Sequence, residues 1–199
     1  HRRLILPQLG APGVAAHEVK QRSGFKVEYG PVRVADLPAC LRAGAATPEM
    51  RRVRFDLLDR LVLIPVDITQ TFIPMAIAAL ALTMIAGWWG ALAAIVAVQG
   101  GVTLFPMLLP FLPTREFSTK GFILGAALAA PFVVAALWGA AGDWLARLLR
   151  ALAALTGITA AVAYIGLNFT GATTFTSKSG VQREMRRYIR PMAGLAGVA

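Results

Sequence analysis

Three blocks of uncharged, mostly apolar sequence fill the centre of the chain. No Asp, Glu, Lys or Arg stands between Asp67 and Arg115, from Gly121 to Gly142, or from Ala151 to Ser177. An α-helix needs roughly 20 apolar residues to cross a hydrocarbon core, and each block reaches that length. The first is long enough for two crossings. Trp88-Trp89-Gly90 divides it, with a helix-weakening Gly beside aromatic rings suited to the headgroup level. The pattern therefore predicts an all-α transmembrane domain over residues 57–169, with four spans at about 71–87, 91–112, 121–139 and 151–169. Pro65 and Asp67 interrupt Leu61 to Ile68, which is expected at the interface. Pro106 and Pro110 are expected to bend the end of the second span. Gly121-x-x-x-Gly125 lets the third helix pack closely on a neighbour. Residues 144–150, with Arg147 and Arg150, read as an amphipathic lead-in to the fourth.

The N-terminal residues follow another rhythm. Leu4-Ile5-Leu6 is a short apolar run that ends in the loop Pro7-Gln8-Leu9-Gly10-Ala11-Pro12-Gly13. Val14 to Arg22 has helical spacing, and Ser23-Gly24 stops it. Phe25 to Tyr29 alternates as a strand does and breaks at Gly30-Pro31. Asp36 is placed to cap a helix running to about Arg42, with Gly44 ending it. Strand and helix in alternation predict a parallel α/β fragment over residues 1–56. In such sheets ligands sit at the carboxyl ends of the strands, here the 8–13 and 30–33 loops. Two strands make an incomplete sheet, so we expect the chain to be the C-terminal portion of a longer protein. Residues 45–60 form a polar, basic junction with Arg51, Arg52, Arg54, Asp56, Asp59 and Arg60.

The chain is 57% hydrophobic and 15% charged, which agrees with a membrane protein. Its net charge of +10 is concentrated outside the apolar blocks. Residues 1–60 carry eleven Lys/Arg against six Asp/Glu, and residues 170–199 carry five against one. With four spans, the N-terminal part, the Arg115/Lys120 loop and the basic tail over 170–199 share one side. The positive-inside rule makes that side cytoplasmic, with both termini in the cytoplasm of a multi-pass inner-membrane protein in contact with lipid. No aromatic-and-basic recognition module accompanies the charge, so nucleic acid is not expected as a partner. Cys40 is the only cysteine, which excludes an internal disulfide and a Cys-based metal cluster; it reads as an ordinary buried thiol. His17 reads as solvated, and Met75, Met84 and Met107 as packing residues. Asp67 can cap, pair with Arg60 or face the bundle. No Ser–His–Asp, P-loop or dicarboxylate arrangement is present.

Asn168 to Gly180 is packed with hydroxyls where the last span ends, and Val181 to Tyr188 follows as a short basic helix. The stretch Asn-Phe-Thr-Gly-x-x-Thr-Phe-Thr-Ser-x-Ser-Gly-Val resembles the tail of the membrane-anchored corrinoid proteins of microbial mercury methylation. Leu6 to Val14, Tyr29 to Pro38 (Tyr-Gly-Pro-Val-Arg-x-x-Asp-Leu-Pro) and Ala46-Thr47-Pro48-Glu49-Met50-Arg51 resemble the same family, in the same order. That family is related to the corrinoid iron–sulfur subunits of the acetyl-CoA pathway. The resemblance implies a Rossmann-like corrinoid-binding domain followed by membrane helices. It implies methyl transfer from a cobalt corrinoid to Hg(II), in partnership with a ferredoxin-like protein bearing two [4Fe–4S] clusters. It points to Gln8, Leu9, Gly10, Ala11, Pro12, Gly13, Gly30, Pro31 and Val32 as corrinoid contacts. The family's cobalt-ligating motif, Asn-(Val/Ile)-Trp-Cys-Ala-Ala-Gly-Lys, does not occur here, so no catalytic residue is expected within this chain. Two other roles fit the composition: an anchor that assembles a corrinoid protein with its iron–sulfur partner, and a carrier of a small solute or metal.

Overall fold

The computed structural model describes residues 2–53, 57–139, 143–169 and 178–199. They form two compact units, one ending at Asp56 and one beginning at Leu57, and are mostly helical.

In the first unit, β1 (Arg3–Leu6) and β2 (Lys26–Tyr29) pair in parallel, Leu4 opposite Val27 and Leu6 opposite Tyr29. Helix α1 (Ala16–Ser23) crosses between them and ends on Gly24 in the left-handed conformation. This is one βαβ unit, and Leu4 and Ile5 are exposed. Helix α2 (Leu37–Ala43) ends at Gly44 with φ 74°. Asp36 does not cap it through its side chain; it closes a 3₁₀ turn, Val34–Asp36, that leads into α2. Pro38 at the start of α2 needs no amide donor there, which removes part of the need for a cap.

The second unit has three helical stretches long and apolar enough to cross a membrane: Leu57–Leu108, Phe117–Trp138 and Trp144–Asn168. The first comprises α3 (Leu57–Leu61), α4 (Ile64–Gln99), a π-helical turn (Gly100–Leu104) and α5 (Phe105–Leu108). Its 52 residues would extend about 78 Å if straight, far more than a bilayer core. It is not straight. At Gly87 the backbone takes φ 65° and ψ −158°, a region essentially reserved for Gly, and the chain folds back. Two contacts show the reversal. Gln99 Nε2 donates to Met75 Sδ at 3.4 Å, and Arg60 Nη1 donates to the Pro106 carbonyl at 3.2 Å. Residues 57–86 and 88–108 therefore run antiparallel. The break falls one residue before the Trp pair that marked it in the sequence, at a glycine, which adopts that conformation at little cost.

Helices α6 (Phe117–Trp138) and α7 (Trp144–Asn168) make the main contact of the unit. A Cβ added at Gly121 would lie 2.6 Å from the Ala163 Cα, and one at Gly125 would lie 2.7 Å from the Thr159 Cα. The two backbones touch along the anticipated small-residue stripe. Ala97, Phe105, Leu124, Ala129, Phe132, Ile158 and Val162 complete the core, with Phe105 fully buried.

Helix limits differ from the hydropathy reading where polar residues join an apolar helix. Helix α4 begins at Ile64, so Pro65 and Asp67 lie in its first turn. Pro tolerates that position. The second leg stops at Leu108, ahead of residue 112, and Pro110 falls in the turn that follows. Helix α6 starts four residues before 121 and takes in Lys120, whose Nζ donates to the Leu109 carbonyl at 2.6 Å. The expected lead-in at 144–150 is continuous with α7, and the Asp143 side chain caps it through the Ala146 N–H at 3.0 Å. Residues beyond the last span do not make a short helix ending at Tyr188. Helix α8 (Lys178–Val198) runs through Pro191 and packs along α7.

The unit's two ends differ chemically. Trp88, Trp89, Trp138 and Trp144 gather at the Gly87 end, where Trp89 meets Phe132 edge-on at 6.0 Å. Arg60, Arg115, Glu116, Lys120, Glu184 and Arg187 gather at the other. Helix α6 separates them by about 33 Å, close to one hydrocarbon thickness.

Replacing Gly125 by Val is expected to force α6 and α7 apart and to cost about 1–3 kcal/mol, read as a lower apparent Tm in detergent. Ala at Gly87 is expected to cost at least about 1 kcal/mol through backbone strain alone, on the same readout.

Candidate functional site

Parallel pairing sends both strands out at one edge, so the loops after β1 and β2 emerge side by side. The loop after β1 begins as a 3₁₀ turn, Gln8–Gly10, whose Gly10 N–H donates to the Pro7 carbonyl at 2.9 Å. The Gly13 and Val14 amides both close back on the Gly10 carbonyl, at 3.1 and 3.0 Å. The Gly30 N–H donates to the Leu6 carbonyl at 2.7 Å and ties the second loop to the end of β1. The Tyr29 hydroxyl donates to the Val14 carbonyl and closes the other side. Val32 N–H reaches the Met50 carbonyl at 2.8 Å, bringing in the Thr47–Met50 stretch. Gln8, Leu9, Gly10, Ala11, Pro12, Gly13, Gly30, Pro31 and Val32 thus share one edge of the unit.

Within this edge the residues divide. Gly30 and Pro31 are buried, and a Cβ on Gly30 would come within 2.9 Å of Ile5 Cγ2; their role is packing. Leu9, Pro12 and Gly13 are exposed, and a Cβ on Gly10 would meet nothing within 4 Å. Gln8 Oε1 is buried without a hydrogen-bond partner among the described residues. Open backbone beside an orphaned acceptor suits an amphiphilic ligand approaching from outside. Cys40 is buried on α2, away from solvent. His17 is exposed on α1. Among the described residues no group of three His, Cys, Asp or Glu is placed to hold a metal ion.

The charged end of the second unit holds an arrangement that sequence reasoning missed. Glu184, on α8, is buried, and its carboxylate accepts the Phe117 and Ser118 N–H groups, both at 3.2 Å, and the Ser118 hydroxyl at 3.1 Å. Those amides begin α6 and have no partner within the helix. The residue before α6, Glu116, makes no side-chain cap. The cap comes from 66 or 67 positions later, and a carboxylate also suits the positive end of the helix dipole. One turn on, the Tyr188 hydroxyl donates to the Glu116 carboxylate, and Arg187 pairs with Glu116 at 3.6 Å. The bond to Glu116, with burial behind it, raises the Tyr188 pKa above its usual value. Met192 packs with Ala163 and Leu167, and Ala199 lies against Gly157. The only sequence signal for this docking is the 181, 184, 188, 192, 195 stripe of non-exposed positions, obscured by the surrounding arginines.

Residues 170–177, the hydroxyl-rich part of the tail motif, lie outside the described residues, as do Arg54 and Asp56 of the junction. Asn168 ends α7 with its Nδ2 on the Tyr164 carbonyl at 3.1 Å.

Compared with protein families, curated proteins and solved structures, the chain matches none. Its class rests on its own features: a membrane protein whose helical unit follows a small parallel α/β unit.

Changing Glu184 to Ala strands buried donors and is expected to cost about 1.5–3 kcal/mol and to release α8, seen as faster proteolysis within 178–198. Tyr188 has its pKa raised on folding, so its contribution is complete below the unfolded value of about 10 and declines as pH rises through the folded value. Proteolysis of α8 is therefore expected to accelerate above about pH 10, and Tyr188→Phe is expected to flatten that dependence.

Proposed function

We propose that this chain supplies part of the corrinoid-binding domain and the membrane domain of a corrinoid-dependent methyltransferase acting on Hg(II). One observation carries the reading: parallel β1 and β2 bring the two family-like loops, 8–13 and 30–32, to a single strand edge. The Thr47–Met50 stretch, a third family-like segment, is bonded to Val32 at that same edge. Such an edge is where α/β sheets of Rossmann-like type hold nucleotide-bearing cofactors.

The residues fit the periphery of a corrinoid and not its metal. Leu9, Gly10, Pro12 and Gly13 offer open backbone and apolar contact, and Gln8 Oε1 offers a free acceptor to an amide side arm. Gly30, Pro31 and Val32 hold that loop in place from behind. Cys40 is buried on α2 and lacks the family's motif, so the cobalt-ligating thiolate of the proposed enzyme would lie outside these residues. When bound, the corrinoid would supply the methyl group for transfer to the soft Hg(II) ion. The partner of the enzyme would be a ferredoxin-like protein bearing two [4Fe–4S] clusters. The helical unit would hold the enzyme in a cytoplasmic membrane as four crossings, with the N-terminus and the basic start of the tail inside; the antiparallel legs on either side of Gly87 support that count.

The test is corrinoid retention by the product of the longest reading frame containing these residues, purified after growth with cobalamin. Gly10→Val and Gly13→Val are each expected to lower bound corrinoid several-fold with thermal unfolding unchanged, since both positions have room for a side chain. Retention equal to the unsubstituted protein would remove the loop from the site. No corrinoid in the unsubstituted protein would end the reading altogether.

A further inference from the structure

Helix α8 has a second face that the bundle does not use. Glu184, Tyr188 and Met192 turn inward. At 100° per residue, Arg183, Arg186 and Arg190 fall on the opposite side, all exposed. No hydrogen bond or ion pair engages these three among the described residues, whereas Arg187 is taken by Glu116. Met185 and Ile189 form an exposed apolar strip on one flank, 44% and 39% accessible. A shallow groove lined by Met185, Arg186, Ile189 and Arg190 joins the two surfaces.

Height within the bundle gives this face its meaning. Glu184 is fixed to the first residues of α6, and Tyr188 packs on Phe122, so the arginines stand at the charged end of the helices. Beyond them, Met192 to Ala199 is free of charge and descends along α7 as far as Gly157. The helix thus enters the apolar zone by its C-terminal half and leaves three unneutralised guanidinium groups at the boundary. Lipid phosphates lie at that level, and the fork of an Arg matches phosphate oxygens.

We propose that the outer face of α8 binds the phosphodiester headgroups of anionic lipids through Arg183, Arg186 and Arg190, with Met185 and Ile189 against the acyl chain. The site rests on the membrane reading of the helical unit and is independent of the corrinoid reading. It would make docking of α8 respond to the anionic lipid content of the leaflet.

The test titrates short-chain phosphatidylglycerol, or phosphatidylcholine of equal chain length, into the full chain in neutral detergent, with bound lipid counted by native mass spectrometry. Phosphatidylglycerol is expected to bind at least ten-fold more tightly, and less tightly as salt rises. Replacing all three arginines by Gln is expected to lower its affinity about a hundred-fold, and Arg186→Gln alone about five-fold. If the triple variant fails to elute as a folded species, the single variant decides. Met185→Ser with Ile189→Ser is expected to weaken both lipids alike. Equal affinity for the two lipids, indifference to the arginine changes, or indifference to the serine changes would each overturn the proposal. So would displacement of the lipid by millimolar inorganic phosphate, or tighter binding of a single-stranded oligonucleotide.

Discussion

The contact between the α6 and α7 backbones underlies the rest of the helical unit. In apolar surroundings helices gain little from burying more apolar surface, so close fit and satisfied polar groups decide how they associate. Gly121 and Gly125 let α6 approach Ala163 and Thr159 at main-chain distance. That approach places Phe105 of the second leg in a closed pocket with Phe117 and Phe169, at 6.2 and 5.8 Å between ring centres. It also leaves the start of α6 beside the end of α7, where a third helix can reach both.

Helix α8 exploits that junction. A helix that begins inside protein needs its first amides satisfied, and a carboxylate from a distant segment does so here. Beside it, Glu116 pairs with Arg187, and the Lys120 ammonium donates to the Leu109 carbonyl. The C-terminal residues are therefore a structural member of the bundle, with one face committed to it and the other to its surroundings.

The α/β unit follows a separate logic. Its two strands bury little, and Leu4 and Ile5 on β1 are exposed. Even so, the pairing is enough to define a ligand edge, since parallel strands must both end on one side. Glycine and proline punctuation alone singles out Gln8 to Gly13. It does not show the division of the edge into an open half and a packing half at Gly30, because that depends on the distance to Ile5.

Periodicity and charge by themselves determined the apolar blocks, the βαβ rhythm, the turn near Trp88, and the basic flanks. These are local properties: hydrogen bonds within a helix and the length of apolar sequence decide them, with no reference to distant residues. Helix ends were less legible. Lys120 and Asp67 read as boundaries from hydropathy, yet both lie inside helices, and the Lys120 ammonium finds the Leu109 carbonyl there. Asp36 had the chemistry of a cap and does not act as one, whereas Glu184 sat within a basic run and does. Only the tertiary structure could decide these points, since a cap depends on which carboxylate the packed helices bring to an open amide. That proximity joins residues 66 positions apart, and no local pattern encodes it.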